Sequence, residues 1–307
     1  MEFKINESYE NVRLDKFLRK KFPELSLTEI FKWIRVGKIK VNGKKSKESY
    51  RLLLEDTVKI YLPKDKEDII EQPQEEFIKL TSRDIEDIKE GLVYEDEKII
   101  VFNKKSEQVM HKGSGHHYGI AEMFKSYYKN PEFNFVNRID KSTCGLVIGA
   151  KNLAVTRDLA QEIREDKTEK KYYILVHGLV KKDNFMIKNY LKKIEDKVIE
   201  TDSRDKDGKE STSYFRVLKR YLNKTLLEGT LETGRTHQLR VQLANLSHPI
   251  VGDRRYGAKD KETRMYLCSY FCKIEKYDIL VTIPLPESFK EKYWEKKSGG
   301  KSSDSKK

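Results

Sequence analysis

The most informative run of this sequence is NRIDKSTCGLVI, residues 137–148. A carboxylate, Asp140, stands two residues after a guanidinium, Arg138, and an apolar, β-branched run begins at Leu146, after five intervening residues. Such a run is typical of a buried strand, so the charged pair is expected at the edge of a core. Taken alone, the two side chains could form a surface ion pair, which contributes at most about 1 kcal/mol.

Three further blocks favour a different interpretation. They read KKYYILVHG at residues 170–178, TGRTHQLRVQLA at 233–244 and SHPIVGDRRYG at 247–257. Together with residues 137–148, and in this order, the blocks closely resemble the signature of the RluA family of RNA pseudouridine synthases. The resemblance spans roughly residues 91–285, and several motifs in one order make coincidence a poor explanation.

Composition points to a polyanionic partner. The 307 residues suggest about two domains, and 63 Lys and Arg against 50 Asp and Glu give a net charge of +13. This balance favours nucleic acid. No apolar run approaches the ~20 residues that a membrane helix needs, and the first residues do not read as a secretory signal. We therefore predict a cytoplasmic protein, a monomer that binds RNA and no membrane.

The cysteines predict neither disulfides nor a metal site. Cys144, Cys268 and Cys272 are too few and too irregularly spaced for a disulfide framework, so we expect reduced thiols. Cys268 and Cys272 have no second pair of ligands at metal-binding spacing.

Residues 1–62 predict a small α/β domain. Apolar residues recur at helical spacing at 14–18 and 30–34, and Ser26 with Glu29 forms a capping-box start for the second helix. Strands are expected at 39–41 and 58–62, with Asn-Gly as a tight turn after the first.

This first domain is basic, with 15 Lys and Arg against 9 Asp and Glu, a net +6. The pattern resembles the S4-like RNA-binding domain, although a scaffold with solvated lysines would also fit. The residues predicted to contact RNA phosphates together are Arg35, Lys38, Lys40, Lys44 and Lys45.

Residues 63–90 turn acidic, with 10 Asp and Glu against 5 Lys and Arg. We predict an acidic linker that stays off the RNA track, with a short helix around Ile85 and Ile88. Residues 291–307, rich in Lys, Ser and Gly, are predicted to be a disordered tail.

Residues 91–290 predict the catalytic domain. Short β-branched and aromatic runs indicate strands, and helices are expected at 120–128 and 154–165. The fold class is therefore α+β with a mainly antiparallel sheet, and the resemblance implies the pseudouridine-synthase fold, a bent sheet crossed by the active-site cleft. The His-rich loop 111–117 is expected to be a basic, RNA-contacting loop rather than a metal site.

The resemblance assigns the chemistry to Asp140. Forming pseudouridine breaks a glycosidic bond and rejoins the base through a ring carbon, so we expect neither a cofactor nor a metal. A carboxylate can attack the anomeric carbon or remove a ribose proton, and both routes stay open. Asp140 matches the family's catalytic aspartate and Arg240 the arginine that keeps it charged, with phosphate binding by Arg240 as the alternative. Because Leu239 and Leu243 alternate with polar residues, we predict that Arg240 lies on a strand.

Two more residues receive roles through the resemblance. Tyr172 matches the tyrosine that stacks on the target base and whose hydroxyl can assist the final deprotonation. Strand alternation should send its neighbour Tyr173 to the opposite face, into the core. Arg138 matches the arginine that fills the space left by the flipped base or grips phosphate.

Arg235 and His237 are predicted to contact the RNA backbone, although a strand histidine is often only a scaffold residue. Three positions depart from the usual family wording. A common histidine is Asn137 here, a common serine is Cys144, and a second common histidine is Gln242.

The predicted function is pseudouridine formation in RNA, with 23S ribosomal RNA favoured because an S4-like domain precedes the catalytic domain. A transfer-RNA pseudouridine synthase is the nearer alternative. A non-catalytic ribosome-assembly factor is more distant, because it would predict erosion of Asp140, Tyr172 or Arg240.

Overall fold

The computed structural model describes residues 1–61, 77–112, 118–195 and 197–290. Its N-terminal part is a three-stranded sheet in the order β1-β3-β2 with two helices packed on it. The elements are β1 (Glu2–Lys4), α1 (Leu14–Lys21), α2 (Leu27–Arg35), β2 (Ile39–Val41) and β3 (Thr57–Ile60). Both predicted helices are thus confirmed.

The N-terminal helices form because each buries one apolar stripe. In α2, Ile30, Trp33 and Ile34 are buried, and the predicted capping box is present, since Ser26 accepts from the Glu29 amide and Glu29 from the Ser26 amide. A cap of this kind stabilises a helix by about 1 kcal/mol.

The turn after β2 is the predicted Asn-Gly hairpin turn. Asn42 and Gly43 both have positive φ, at 49° and 76°, as a two-residue turn of this type requires. Val41 and Lys44 exchange backbone hydrogen bonds across it at 2.9 Å. The turn leaves Lys44 and Lys45 exposed at one end of the domain.

Helix α3 (Ser82–Gly91) follows the first gap, and it contains the short helix predicted around Ile85 and Ile88. Ile88 is fully buried against the C-terminal domain, so the end of the acidic segment packs on that core. Half of the predicted linker, residues 63–76, and the predicted tail lie outside the described residues. The domain boundaries stay predictions.

The C-terminal part is built on one large sheet, confirming a mainly antiparallel α+β architecture. Nine strands run in the order β10-β9-β11-β12-β8-β13-β7-β5-β4, with β14 beside β13 and β6 beside β7. The strands are β4 (Leu92–Glu95), β5 (Ile99–Lys104), β6 (Asn134–Phe135), β7 (Cys144–Ala150), β8 (Thr168–His177), β9 (Asn184–Ile194), β10 (Lys197–Thr201), β11 (Lys209–Arg220), β12 (Lys224–Leu231), β13 (Leu267–Ile274) and β14 (Ile279–Thr282).

One strand pair in this sheet is parallel, that of β7 with β13, while the other described pairs are antiparallel. This pair matters for the site because it places the loop before β7 next to β13, which also pairs with β8. The helices predicted on this domain are confirmed as α4 (Ile120–Tyr128) and α5 (Leu153–Arg164).

The strand predicted around Arg240 is wrong, because these residues form helix α6 (Gln238–Asn245). Every residue from 238 to 243 is buried, so the helix has no exposed polar face to reveal a 3.6-residue period. Its polar side chains are paired inside the protein instead. The result is an alternation of apolar and polar residues that resembles a strand.

The two parts of the chain are joined by polar contacts. Arg157 on α5 donates to the backbone oxygens of Ser8 and Glu10, each at 3.0 Å, and the Ser8 hydroxyl donates to Glu132 at 2.6 Å. Within the described ranges, no helix is long and apolar enough to span a bilayer.

Candidate active site

Asp140 lies on the short loop that leads into β7, and a buried lysine holds this loop. The amine of Lys104 donates to three backbone carbonyls at 3.0 Å, one of them on Lys141, next to Asp140. Burial lowers the pKa of Lys104 to about 8, while the carbonyls replace the water that a buried cation loses. Lys104 therefore fixes the backbone beside the carboxylate.

The loop enters the sheet through a close contact that only glycine permits. Gly145 has φ of 108°, and a Cβ at this position would lie 2.1 Å from the carbonyl oxygen of Ser269 on β13. A side chain would both clash and strain the backbone. Since Ser269 pairs with Tyr172 on β8, this contact brings Asp140 toward the tyrosine.

Arg240 joins Asp140 to a second carboxylate. Its Nη1 donates to Asp140 Oδ2 at 2.8 Å, while Nε and Nη2 donate to the two oxygens of Asp253 at 2.7 and 2.8 Å. Burial lowers the pKa of Arg240, but the hydrogen bonds and charges of both carboxylates outweigh it and raise the pKa. The predicted pairing with Asp140 is present, and Asp253 is a partner that the sequence did not predict.

The two oxygens of Asp140 have different surroundings. Oδ2 accepts from Arg240 and lies 3.5 Å from Nε2 of His237. Oδ1 makes no hydrogen bond to any part of the chain that the structure describes, and the side chain is 30% exposed. The fixed oxygen orients the carboxylate, so Oδ1 is left accessible to a bound ligand.

Tyr172 lies on β8 and is almost fully buried. Burial raises the pKa of its hydroxyl to about 12, and the charge of Asp140 adds to the rise. At neutral pH the phenol keeps its proton, so Tyr172 can offer an aromatic face and a hydrogen-bond donor but not a phenolate base. The predicted alternation is confirmed, since Tyr173 packs on the other side of the sheet, stacked on Tyr270 with ring centroids 3.7 Å apart.

His237 lies in the cleft rather than on the outer surface. It caps the start of α6 with a left-handed backbone, φ 53°, and its side chain is 12% exposed. Nε2 faces Asp140, and Nδ1 lies 2.8 Å from the hydroxyl of Tyr256. The imidazole predicted to contact the RNA backbone therefore has the candidate catalytic carboxylate as its neighbour.

Comparison with known proteins identifies the family. A family model described as RNA pseudouridylate synthase matches residues 98–245, and one for the S4 domain matches residues 12–58. Ribosomal large subunit pseudouridine synthase C of Buchnera aphidicola subsp. Baizongia pistaciae is 36% identical over 310 residues, covering 93% of this chain and 94% of that protein. This chain belongs to the RNA pseudouridine synthase family.

Other relatives agree with this assignment. The Vibrio cholerae protein of the same name is 32% identical over 255 residues, covering 82% of this chain and 79% of that protein. An uncharacterized RNA pseudouridine synthase of Aquifex aeolicus is 34% identical over 284 residues, covering 88% of this chain and 84% of that protein. Human RNA pseudouridylate synthase domain containing 1 shares the fold, with a TM-score of 0.57 and 24% identity over 66% of this chain and 85% of that chain.

Arg138 does not pair with Asp140. Its side chain is exposed and makes no hydrogen bond or ion pair with another described residue. The interpretation of Arg138 and Asp140 as a surface ion pair is therefore wrong. In this synthase the guanidinium is free to meet a ligand, as the prediction for Arg138 requires.

The remaining predicted RNA contacts lie on the surface. Arg235 is exposed, and its Nε donates to the backbone oxygen of Glu210 at 3.0 Å, which leaves the other guanidinium nitrogens for a ligand. In the S4 domain, the five predicted cations are exposed or half-buried, and none forms an ion pair with a described residue. These are Arg35, Lys38, Lys40, Lys44 and Lys45.

The three departures from the family wording have structural roles. Asn137 Oδ1 accepts from the Ile148 amide at 2.7 Å, so it ties the loop that carries Asp140 to β7. Gln242 is buried and donates to Asn189 at 3.0 Å. Cys144 is opposite Cys268 where β7 meets β13.

The sequence did not predict the contacts of Lys104 and Asp253 in the site. For His237 it predicted contact with the RNA backbone and did not predict that Asp140 is its neighbour. The local signal for Lys104 was a lysine ending a mostly apolar strand, and that for Asp253 was an aspartate after Val251-Gly252. Neither signal names the partner that matters for the site, because Lys141 and Arg240 lie 37 and 13 positions away. Across the described ranges, no cluster of three or more His, Cys, Asp or Glu side chains is arranged to hold a metal ion. Residues 113–117 of the predicted RNA-contacting loop lie outside the described residues.

Proposed function

We propose that this protein converts uridine to pseudouridine in large-subunit ribosomal RNA, with Asp140 as the catalytic carboxylate. The observation that carries the catalytic assignment is the asymmetry of Asp140, whose Oδ2 is held by Arg240 at 2.8 Å while Oδ1 is open. The choice of substrate is supported by the relatives of similar length named as ribosomal large subunit pseudouridine synthase C.

The reaction is an isomerisation, so no group is imported and no electron is gained or lost. The bond between the ribose and the base nitrogen breaks, the base turns within the pocket, and a ring carbon bonds to the ribose. The proton that this carbon loses is balanced by a proton gained at the freed ring nitrogen. Asp140 Oδ1 is placed either to attack the anomeric carbon or to take a ribose proton as the bond loosens. Both routes need the carboxylate in its charged form.

Arg240 supplies the matching charge inside a partly buried cleft. Desolvation disfavours the charged form of a carboxylate. The positive charge of Arg240 favours that form of Asp140, and Asp253 holds the guanidinium in the orientation that this contact needs. A planar guanidinium can bind both carboxylates at once, which an ammonium cannot do with the same geometry. Tyr172, neutral at working pH, is proposed to stack on the flipped base and to donate a hydrogen bond.

The basic surfaces are proposed to bring the RNA to this cleft. Arg138 is exposed next to the catalytic loop, and the S4 cations form a second contact region. Charge contacts of this kind supply affinity without reading sequence. RNA sequence is read instead through unpaired, splayed bases, which agrees with a pocket that extracts one uridine at a cost of a few kcal/mol.

The test uses RNA from a strain that lacks the gene. The purified full-length protein is incubated with this RNA, and pseudouridine is mapped at nucleotide resolution in ribosomal and transfer RNA. We expect new pseudouridine in large-subunit ribosomal RNA. Modification confined to transfer RNA would overturn the substrate, and no modification in any RNA would overturn the function.

A variant tests the role of Asp140 in the same assay. Asp140→Asn keeps the shape but removes the charge, so it should abolish product while RNA affinity stays within about twofold. Turnover by this variant would contradict the assignment. Loss of RNA binding by it would show that Asp140 acts in binding.

A further inference from the structure

A chain of polar contacts leads from the β9–β10 hairpin to the catalytic carboxylate. The backbone amide of Val198 on β10 lies 3.0 Å from the hydroxyl oxygen of Tyr256. That hydroxyl lies 2.8 Å from Nδ1 of His237, whose Nε2 lies 3.5 Å from Asp140 Oδ2. Within the part of the molecule that the structure describes, His237 is the side chain that joins this series of contacts to Asp140.

The chemistry of the groups favours one arrangement of the hydrogens. The Val198 N–H can only donate, so the Tyr256 oxygen accepts from it, and the phenolic hydrogen is left available to donate to Nδ1. A ring that accepts at Nδ1 carries its hydrogen at Nε2, and this hydrogen faces an oxygen that can only accept. The neutral Nε2–H form of His237 accepts the Tyr256 hydrogen bond at Nδ1 and turns its N–H toward Asp140 Oδ2, 3.5 Å away.

We propose that His237 is a positioning residue, which in its neutral Nε2–H form orients Asp140 through Oδ2 and so directs Oδ1 at the reacting nucleotide. This proposal rests on the proposed function. The 3.5 Å separation is longer than a good hydrogen bond, as is common before substrate binds, and we expect it to shorten in the RNA complex.

The backbone of His237 supports a role beyond packing. It adopts a left-handed φ of 53°. For a residue other than glycine, this backbone conformation is unfavourable by on the order of 1 kcal/mol or more. Such conformations tend to persist at functional sites, where the surrounding structure enforces them. Here the conformation turns the imidazole into the cleft at the start of α6.

The electrostatic surroundings keep the ring neutral. Burial lowers the pKa of His237, and the positive charges of Arg240 and Arg255 lower it further against the opposing effect of two carboxylates. Burial also raises the pKa of Tyr256, so its hydrogen is retained at neutral pH. The charged and titratable groups around the ring are Asp140, Asp253, Arg240, Arg255 and Tyr256.

Protonation would break this arrangement. A second hydrogen, on Nδ1, would have to displace the Tyr256 O–H. The imidazolium would also be a second cation beside Asp140, and its charge would make the carboxylate a weaker nucleophile and base. We therefore expect the rate of pseudouridine formation to fall on the acidic side of about pH 6.5, the ordinary value for histidine.

The first experiment reads the tautomer directly in the wild-type protein. Nitrogen-15 NMR of the labelled histidines distinguishes the Nε2–H, Nδ1–H and doubly protonated forms, with His237→Gln used to assign the signal. We expect the Nε2–H form at pH 7. An Nδ1–H or doubly protonated ring would overturn the proposal, and this readout holds even if the protein makes no pseudouridine.

The second experiment follows kcat against pH in variants. His237→Gln should lower kcat by about tenfold at neutral pH, the loss of roughly one hydrogen bond to a charged group, and should remove the acidic limb because an amide does not titrate. Tyr256→Phe should move the limb to higher pH, because the neutral ring loses the hydrogen bond that favours it. RNA affinity and thermal unfolding midpoints confirm that each variant is folded.

A matched histidine variant gives the control. His248 lies after α6 and bonds to the His177 carbonyl at 2.8 Å, away from Asp140, so His248→Gln should leave the limb where it is. The proposal fails if His237→Gln keeps the limb and full activity, or if Tyr256→Phe leaves the limb unmoved. If the wild-type protein makes no pseudouridine, the proposed function fails and the tautomer alone decides this inference.

Discussion

Replacing Asp253 with asparagine tests how the catalytic pair is held. The Asp253 side chain is 1% exposed, and its two oxygens accept from Nε and Nη2 of Arg240 at 2.7 and 2.8 Å. Asparagine has nearly the same shape, but it offers one acceptor oxygen and turns an N–H₂ donor toward a guanidinium that also only donates. The change therefore removes one bond and adds an unfavourable contact without making a cavity.

The structure sets the expected size of the effect. Removing one partner of a buried ion pair costs about 3–5 kcal/mol when the other charge is left uncompensated. Arg240 keeps Asp140 as a partner, so we expect the lower end, about 3 kcal/mol of unfolding free energy. With one of its three hydrogen bonds lost, the guanidinium is held less firmly, and a shift of about 1 Å in the groups of the site costs on the order of 100-fold in rate.

The assay measures single-turnover pseudouridine formation and the thermal unfolding midpoint of the same preparations. Asp158→Asn is the control, because Asp158 also binds two donors in this domain, on Lys276 and Tyr277, but does not touch Arg240. We expect Asp253→Asn to be slow and Asp158→Asn to react at the wild-type rate. A rate for Asp253→Asn within threefold of the wild type would refute the claim that Asp253 positions Arg240.

Three further changes follow from the site and the S4 domain. Lys104→Met leaves three buried carbonyls without their donor and should destabilise the fold by about 2–4 kcal/mol. Because burial lowers the pKa of Lys104 to about 8, the folded wild type binds fewer protons than the unfolded chain above that pH. The free energy of unfolding of the wild type should therefore rise relative to that of this variant as the pH increases from about 8 to 10.4, which unfolding measured against pH would show. Tyr172→Phe should lower the rate without altering its pH profile between about pH 6 and 9, because the hydroxyl stays protonated there; loss of an alkaline limb would contradict this. Lys44→Gln combined with Lys45→Gln should weaken RNA binding and reduce the slope of log affinity against log salt by roughly 1.4–1.8, and an unchanged slope would argue against phosphate contacts at this turn.

The fold was predictable where the local pattern and the burial agree. Helix α2 has one buried stripe and a capping box, and its bounds follow from the sequence within a few residues. Helix α6 was missed because its residues 238–243 are all buried, so that the usual contrast between an apolar and a polar face is absent over them. A buried helix and a strand can therefore show the same pattern of apolar and polar residues.

The candidate site also has a part that the sequence predicts and a part that it does not. Asp140, Tyr172 and Arg240 could be named because they stand in sequence blocks that resemble a family. The contacts of Lys104 and Asp253 could not, since hydrogen bonds over 37 and 13 positions depend on how the sheet and loops are arranged. The neighbour of His237 was misjudged for a related reason: a strand would have turned it differently from the helix start that is present.

The charge balance of the cleft gives Arg138 a purpose of its own. Asp140, Asp253 and Arg240 together carry one net negative charge, and the neutral form of His237 does not change it. Arg255 also lies near His237, but beside the Asp140 carboxylate itself an RNA phosphate would be repelled, and in a partly buried site the repulsion is weakly screened. Arg138 is exposed and beside the same loop, so it can offset that charge for the ligand without taking Asp140 from Arg240. We therefore propose that Arg138 acts on the association of RNA, whereas Arg240 acts on the carboxylate, although both are guanidinium groups near one aspartate.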